Sequence, residues 1–159
     1  MSIVELIKSY LSYNEIMNGR ILDSIMKINA EQYEVDANYS RGSIRDQELY
    51  LVAAESRWLR GIQGYPDART YNPTTEDYPT PEAAYQLWEE HRIEFRAYID
   101  SLDETELQRV PKGMPGPVWQ ALLQVANHGT DHRAQILRLL NDIGEDTYEQ
   151  DIIYFLGQS

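Results

Sequence analysis

Apolar residues recur at intervals of three and four along most of this chain, which is the pattern of helices that bury one face. The pattern predicts four long helices, over residues 2–28, 43–64, 80–100 and 118–141. No stretch alternates apolar and polar residues strongly enough to predict a β-strand. Four amphipathic helices in 159 residues predict an all-α fold, a four-helix bundle in a single domain over residues 1–159.

Local signals mark where these helices begin and end. Ser2 and Ser43 each precede an acidic residue by three positions, the arrangement of a capping box at a helix start. Thr80 followed by Pro81 is a second kind of start, because proline is well tolerated in the first helical turn. Gly144 is expected to end the last long helix.

The segments between the helices differ in length and character. Residues 29–42 lose the helical period and predict a loop. The proline-rich residues 64–79 predict a second long loop, of the kind that borders a functional site. Loops of this length permit a crossover connection in the bundle. Residues 101–110 predict one short turn around Asp103, and residues 147–156 predict a short helix or an extended tail.

The charge balance restricts the partners of the protein. The chain carries 14 basic and 26 acidic residues, a net charge of −12. Nucleic acids and anionic membrane surfaces need a positive footprint, so this balance argues against both partners. No apolar run is long enough to span a membrane, and the amino-terminal stretch lacks the basic start and apolar run of a signal peptide. These features predict a cytoplasmic protein with no nucleic-acid and no membrane partner.

The sequence contains no cysteine. Disulfides, thiolate nucleophiles and cysteine-based zinc sites are therefore excluded as sources of stability or chemistry. A chain without cysteine is compatible with the reducing cytoplasm. Any thiol chemistry would require a separate thiol molecule.

His128 and His132 have the spacing of a metal-ligand pair. At positions i and i+4 of a helix their side chains share one face, with Cβ atoms about 5–6 Å apart. Two imidazoles in this arrangement can bind one divalent metal such as zinc, nickel or iron. The alternative interpretation is a pair of helix histidines held by hydrogen bonds.

Two sharper metal motifs are absent from the sequence. A zincin helix carries glutamate directly after its first histidine as general base, and Gly129 occupies that position here. A di-iron bundle needs Glu-x-x-His on two helices. The residues three before the histidines of this chain are Trp88, Val125 and Gly129.

Residues close to the histidines predict local packing rather than chemistry. Gly129 in a helix interior is unfavourable by about 1 kcal/mol relative to alanine, which a close helix crossing or a cavity beside the histidines would explain. Asp131 and Arg133 are expected to be solvated, and orientation of an imidazole is their alternative role. His91 is expected to be solvated or salt-bridged, because charged residues surround it in the sequence.

Two segments of the chain are similar to helices of a known superfamily. Residues 42–59 resemble the second long helix of the DinB/YfiT-like superfamily, and residues 118–140 resemble its fourth. The most specific piece is the N-H-G-x-x-H-R-x-Q-I run from Asn127 to Ile136. The resemblance covers nearly the whole chain. It implies a four-helix bundle with a crossover connection that pairs as a homodimer.

The resemblance also implies a metal centre. Members of the superfamily typically hold one metal ion, commonly nickel or zinc, between three histidines. His128 and His132 match two of these positions, and Tyr50 stands at the third, on the second long helix. A phenol is a poor ligand for zinc or nickel because it is neutral at pH 7. Tyr50 therefore either joins the two histidines around a metal or donates its hydroxyl to one ring nitrogen in place of the metal.

Two functions follow from these alternatives. Characterised relatives include thiol S-transferases and an isomerase that use low-molecular-weight thiols. The first hypothesis is therefore a metal-dependent thiol S-transferase or hydrolase for a small molecule, in which a metal at His128, His132 and Tyr50 activates a thiol or water. The second hypothesis is a metal-free bundle that binds a small ligand or serves as a dimeric scaffold, because the third histidine is missing.

Overall fold

Seven α-helices run through residues 1–156, the part of the chain that this computed structural model describes. They are α1 (Ile3–Ile25), α2 (Ala30–Glu34), α3 (Ile44–Gln63), α4 (Pro81–Asp100), α5 (Glu104–Gln108), α6 (Val118–Asp142) and α7 (Ile152–Leu156). No strand occurs within these residues. The all-α prediction is confirmed, and each of the four predicted long helices is present within a few residues of its predicted bounds.

The predicted helix starts have the expected capping hydrogen bonds. The hydroxyl of Ser2 accepts from the backbone of Glu5, and the carboxylate of Glu5 accepts from the backbone of Ser2. Ser43 makes the same reciprocal pair at the start of α3. Thr80 caps α4 with proline following it. After α6, Gly144 has a φ of 87°, the left-handed conformation that ends a helix.

The short elements differ in part from the sequence prediction. The sequence predicts a loop over residues 29–42, but α2 lies within them. Its start is a capping box between Asn29 and Gln32, a signal that the missing helical period concealed. The turn expected at Asp103 is the capped start of α5. In the predicted tail segment, α7 is the only helix within the described residues.

The four long helices pack in the ring order α1, α6, α3, α4. Helices α1 and α3 are consecutive long helices but occupy opposite corners of this ring. The connection between them therefore crosses one end of the bundle. Helices α4 and α6 are also at opposite corners, so the connection between them crosses an end of the bundle as well. None of the helices among residues 1–156 combines the length and the apolar character needed to span a membrane.

Two apolar clusters fill the core at different levels of the bundle. The first includes Ile21, Ile25, Leu51, Val52, Trp88, Ile136 and Leu140. The second includes Ile7, Leu11, Leu59, Ile62, Phe95, Ile99, Leu122 and Val125. On each long helix a short run of residues separates the two clusters. Several polar side chains in these runs are buried, and they form the network described below.

Candidate functional site

The three side chains singled out in the sequence meet at one place in the structure. His128 and His132 stand one turn apart on α6 with ring centroids 4.3 Å apart. Tyr50 of α3 lies against both, at 5.7 Å from the ring of His128 and 4.8 Å from that of His132. The close packing of α3 on α6 brings the three rings together.

The contact between Tyr50 and the histidines is made through the rings. Among residues 1–156, no hydrogen bond joins the hydroxyl of Tyr50 to an imidazole, and Nδ1 of His132 is buried without a hydrogen-bond partner. The predicted donation from Tyr50 to a ring nitrogen is therefore not formed. A buried polar atom without a partner is unfavourable by about 1–3 kcal/mol.

Burial keeps both histidines neutral at pH 7. His132 is 7% exposed, and burial together with the nearby His128 lowers its pKa to about 4. Partial burial also lowers the pKa of His128. A neutral imidazole carries one nitrogen lone pair, which is the form that binds a metal or accepts a hydrogen bond.

The cluster offers two imidazoles to a divalent metal, and its third ring is a phenol. Within the described residues, no group of three or more His, Cys, Asp and Glu side chains is placed to hold a metal. A catalytic zinc site usually has three protein ligands. Here the third neighbour is the phenol of Tyr50, so a metal held by His128 and His132 would need water or a bound ligand to complete its shell. The buried Nδ1 of His132 is consistent with such a partner.

The cluster opens onto a cleft with a volume of about 830 Å³. Tyr50 and His128 contribute to its wall, together with one face of α3 and the loops that follow α3 and precede α6. Trp58, Tyr65 and Met114 provide apolar surface. The size and lining are typical of a pocket for a small molecule.

Positive side chains surround the cleft. Arg57, Arg69 and Lys112 line it, and no aspartate or glutamate does so in the part of the chain that the structure describes. The guanidinium of Arg41 stacks on the ring of Tyr50 at 3.7 Å from its centroid. Sequence reasoning missed these residues. Only Arg57 had a usable signal, since it lies seven residues after Tyr50 on the same face of α3.

Arg133, expected to be solvated, is fully buried beside the site. Its Nη1 donates to the side-chain oxygens of Asn14 at 2.6 Å and Asn18 at 2.7 Å. Both amides in turn donate to Oε1 of Glu55, at 3.0 and 2.9 Å. A buried cation and a buried carboxylate are thus joined through two asparagines.

His91 belongs to the same network and is buried rather than solvated. Its Nε2 lies 3.2 Å from Oε2 of Glu55, and its Nδ1 lies 3.1 Å from the hydroxyl of Ser56. Burial opposes ionisation of Glu55, but hydrogen bonds from His91, Asn14 and Asn18 outweigh it and lower the pKa of this carboxyl. The network connects α1, α3, α4 and α6 between the two apolar clusters, and we call it the core network.

Gly129 is explained by a close approach of side chains, not by a cavity. A Cβ atom at this position would lie 2.5 Å from Oδ1 of Asn14 and 2.8 Å from Nη1 of Arg133. Both distances are too short for real contacts. The glycine between the two histidines therefore makes room for the core network on the other side of α6.

Comparison with known proteins identifies the family. The DinB family profile matches residues 1–157. A crystal structure of a DinB-like protein from Bacillus cereus ATCC 10987 is similar, with a TM-score of 0.64 and 19% sequence identity over 87% of this chain and 91% of that chain. At this identity the likeness shows a shared fold. No curated protein matches the sequence significantly. Because the family match extends over nearly all of its length, this chain belongs to the DinB family.

Proposed function

We propose that this protein is a metal-dependent enzyme, a thiol S-transferase or hydrolase, that acts on a small molecule in the cleft. His128 and His132 would hold the metal, and Tyr50 would stand at its third side. The observation that carries this proposal is the pair of neutral imidazoles in ring contact with Tyr50, with Nδ1 of His132 buried and unpartnered among residues 1–156. Membership of the DinB family supports it.

The residues of the chain have separable roles in this proposal. When bound, a divalent metal lowers the pKa of a thiol or water and so supplies a nucleophile near pH 7. The thiol would belong to a low-molecular-weight cofactor, because the chain has no cysteine. Tyr50 places its ring against both imidazoles, and Trp58, Tyr65 and Met114 offer apolar contacts to the small molecule.

A second candidate function is a metal-free protein that binds a small ligand or serves as a dimeric scaffold. It is favoured by Tyr50 at the position of the third histidine and by the small donor set among residues 1–156. In this case the ligand itself would donate to the ring nitrogen of His132 that has no partner within those residues. The homodimer and the cytoplasmic location stay predictions in both cases.

Metal binding separates the two candidates. The full chain is purified without a metal-affinity column, its metal content is measured, and zinc or nickel is titrated into the chelator-treated protein. We expect saturable binding of one ion, lost in His128→Ala and His132→Ala. Asn127→Ala is the matched control, because Asn127 is an exposed neighbour on the same helix. Tyr50→His is expected to tighten binding by supplying a third imidazole.

The contrary result is also defined. If the purified chain carries only traces of metal and does not bind zinc or nickel on titration, the enzyme proposal is wrong and the metal-free candidate replaces it. Tyr50→Phe refines the first outcome. Weaker metal binding in this variant would make the phenol oxygen a ligand, whereas unchanged binding would leave it as a neighbour.

A further inference from the structure

The positive side chains of the cleft indicate what kind of molecule it takes. We infer that the cleft beside Tyr50 and His128 binds a small organic anion, a carboxylate or phosphate attached to an apolar body. As a statement about the substrate, the inference rests on the proposed function. The binding of the anion itself needs no metal.

The distribution of ion pairs is the first argument. In residues 1–156, six arginines pair with carboxylates, and none of the six lines the cleft: Arg45, Arg60, Arg92, Arg96, Arg109 and Arg138. Arg57, Arg69 and Lys112 do line it and form no such pair within the described residues. In a chain with 26 acidic residues, three such cations on a wall without a carboxylate are a local concentration of uncompensated positive charge.

The second argument is how these cations are held. A guanidinium nitrogen of Arg57 donates to the backbone oxygen of Tyr71 at 3.0 Å, and Arg69 donates to that of Gly113 at 3.4 Å. A neutral carbonyl orients a guanidinium without cancelling its charge. The remaining N–H groups can then serve a carboxylate or phosphate, for which arginine provides several donors in a fixed plane.

The shape of the cleft defines the rest of the ligand. Its volume of about 830 Å³ is in the range of pockets for small molecules. Trp58, Tyr65 and Met114 lie on its wall and offer aromatic and apolar contacts. A molecule that uses both the cations and these contacts has an anionic group and an apolar part. The confined volume and the net charge of −12 disfavour a nucleic acid.

The experiment measures binding of simple probes to the full chain in the presence of a chelator. The anionic probes are phenyl phosphate and benzoate, the neutral probe is benzyl alcohol, and the cationic probe is benzylamine. Titration calorimetry gives the affinity for each. We expect both anions to bind more tightly than benzyl alcohol, and benzylamine to bind least. Phenyl phosphate carries about two negative charges at pH 7 and benzoate carries one, so we expect phenyl phosphate to bind the more tightly of the two.

Charge-matched variants locate the effect. Lys112→Gln and Arg69→Gln are each expected to weaken the binding of phenyl phosphate by roughly tenfold, the loss for one hydrogen bond to a charged group. Lys27→Gln and Arg138→Gln change the net charge equally at exposed positions outside the cleft and should leave the affinity unchanged. Arg57→Lys keeps the charge and tests whether the planar guanidinium is required.

Two results would overturn the inference. One is equal binding of phenyl phosphate and benzyl alcohol, and the other is an equal loss of affinity in the control variants. Failure of the metal proposal would look different. In that case zinc and nickel would not bind, while phenyl phosphate would still bind the wild-type chain and lose affinity in Lys112→Gln.

Discussion

The core network and the cluster of Tyr50, His128 and His132 both bury polar groups inside the bundle, but they differ in how far those groups are hydrogen-bonded. Arg133 follows His132 directly in the sequence, yet the two side chains leave α6 on different faces. The guanidinium of Arg133 is fully buried, and it donates to Asn14, Asn18 and further side chains. His132 is nearly as buried, but its Nδ1 has no partner among residues 1–156. The donors of the buried arginine are satisfied within the chain, whereas the buried nitrogen of His132 has no hydrogen bond within the described residues.

Two glutamates on α3 repeat this contrast. Glu48 and Glu55 lie seven residues apart on one face of the helix, and both are almost completely buried. Glu55 accepts hydrogen bonds from His91 and two asparagines, which lower its pKa. Burial opposes ionisation of Glu48 as well, but the hydrogen bond from Tyr33 does not outweigh it, and the pKa of Glu48 is raised to about 8. Burial is therefore the same for both groups, and the number of hydrogen-bond donors decides whether the ionised carboxylate is stable in the core.

The largest expected effect comes from opening the core network. Arg133→Met removes a buried cation and leaves Glu55 with less compensation. Arg133 and Glu55 are joined through two asparagines rather than paired directly, and we expect a loss close to the value of about 3–5 kcal/mol that is typical when one charge of a buried pair is removed. Urea denaturation monitored by circular dichroism should show this loss in the free energy of unfolding.

A surface arginine provides the control for that prediction. Arg138 pairs with Asp142 at 2.8 Å, but the arginine side chain is 62% exposed. Arg138→Met should therefore change the unfolding free energy by less than about 1 kcal/mol. Equal losses in the two variants would contradict the distinction between a closed core network and ordinary surface pairs.

Glu48→Gln should have the opposite sign to Glu55→Gln at pH 8. Because the pKa of Glu48 in the folded chain is above the usual value of 4.5, its contribution to stability is present below about pH 4.5 and is lost as the pH rises through about 8. We expect Glu48→Gln to raise the free energy of unfolding at pH 8 and to change it little at pH 5.

The Glu55 variant completes this test. The pKa of Glu55 in the wild-type chain is lowered, so the contribution of this carboxylate to stability is present above about pH 4.5 and is lost as the pH falls. Glu55→Gln should therefore be destabilised at pH 8, where Glu48→Gln is stabilised. Unfolding curves at pH 5 and pH 8 measure both. A loss of stability in both variants at pH 8 would show that Glu48 is as well served by its surroundings as Glu55.

Alanine substitutions at two helix glycines are expected to change stability by smaller amounts and in opposite directions. Gly129→Ala would place a methyl group against Asn14 and Arg133, and we expect a loss of about 1–2 kcal/mol despite the better helix propensity of alanine. Gly19→Ala meets no atom within 4 Å and should gain about 0.5–1 kcal/mol. Thermal unfolding would show both changes. An unchanged or raised melting temperature in Gly129→Ala would mean that the core network adjusts easily to the added methyl group.

Local signals account for what the sequence predicted well. The helical period and the caps at Ser2, Ser43 and Thr80 depend only on neighbours in the chain, so the long helices were predicted nearly to their ends. The position of Tyr50 opposite His128 was predicted from the family resemblance, not from spacing. The prediction that the three form a metal site stays a prediction.

Long-range pairing accounts for what was missed. Arg133 was predicted to be solvated and His91 to be solvated or salt-bridged, because their neighbours in the chain are polar; the sequence did not show that both are buried. Their real partners, Asn14 and Glu55, belong to other helices and are identified only when the bundle packs. The cleft cations were missed for a similar reason. Arg69 and Lys112 come from separate loops, and no local pattern brings them together.

The smallest expected effect concerns the stability of these cleft cations. Lys112→Gln and Arg69→Gln alter exposed side chains, so each should change the unfolding free energy by less than about 0.5 kcal/mol. Urea denaturation on the same scale as Arg133→Met makes the comparison direct. If Lys112→Gln were as destabilising as Arg133→Met, the cleft cations would be structural, and their lack of carboxylate partners within the described residues would no longer argue for an anionic ligand. A negligible change, combined with weaker binding of phenyl phosphate, would separate positive charge that holds the fold from positive charge that is free to bind.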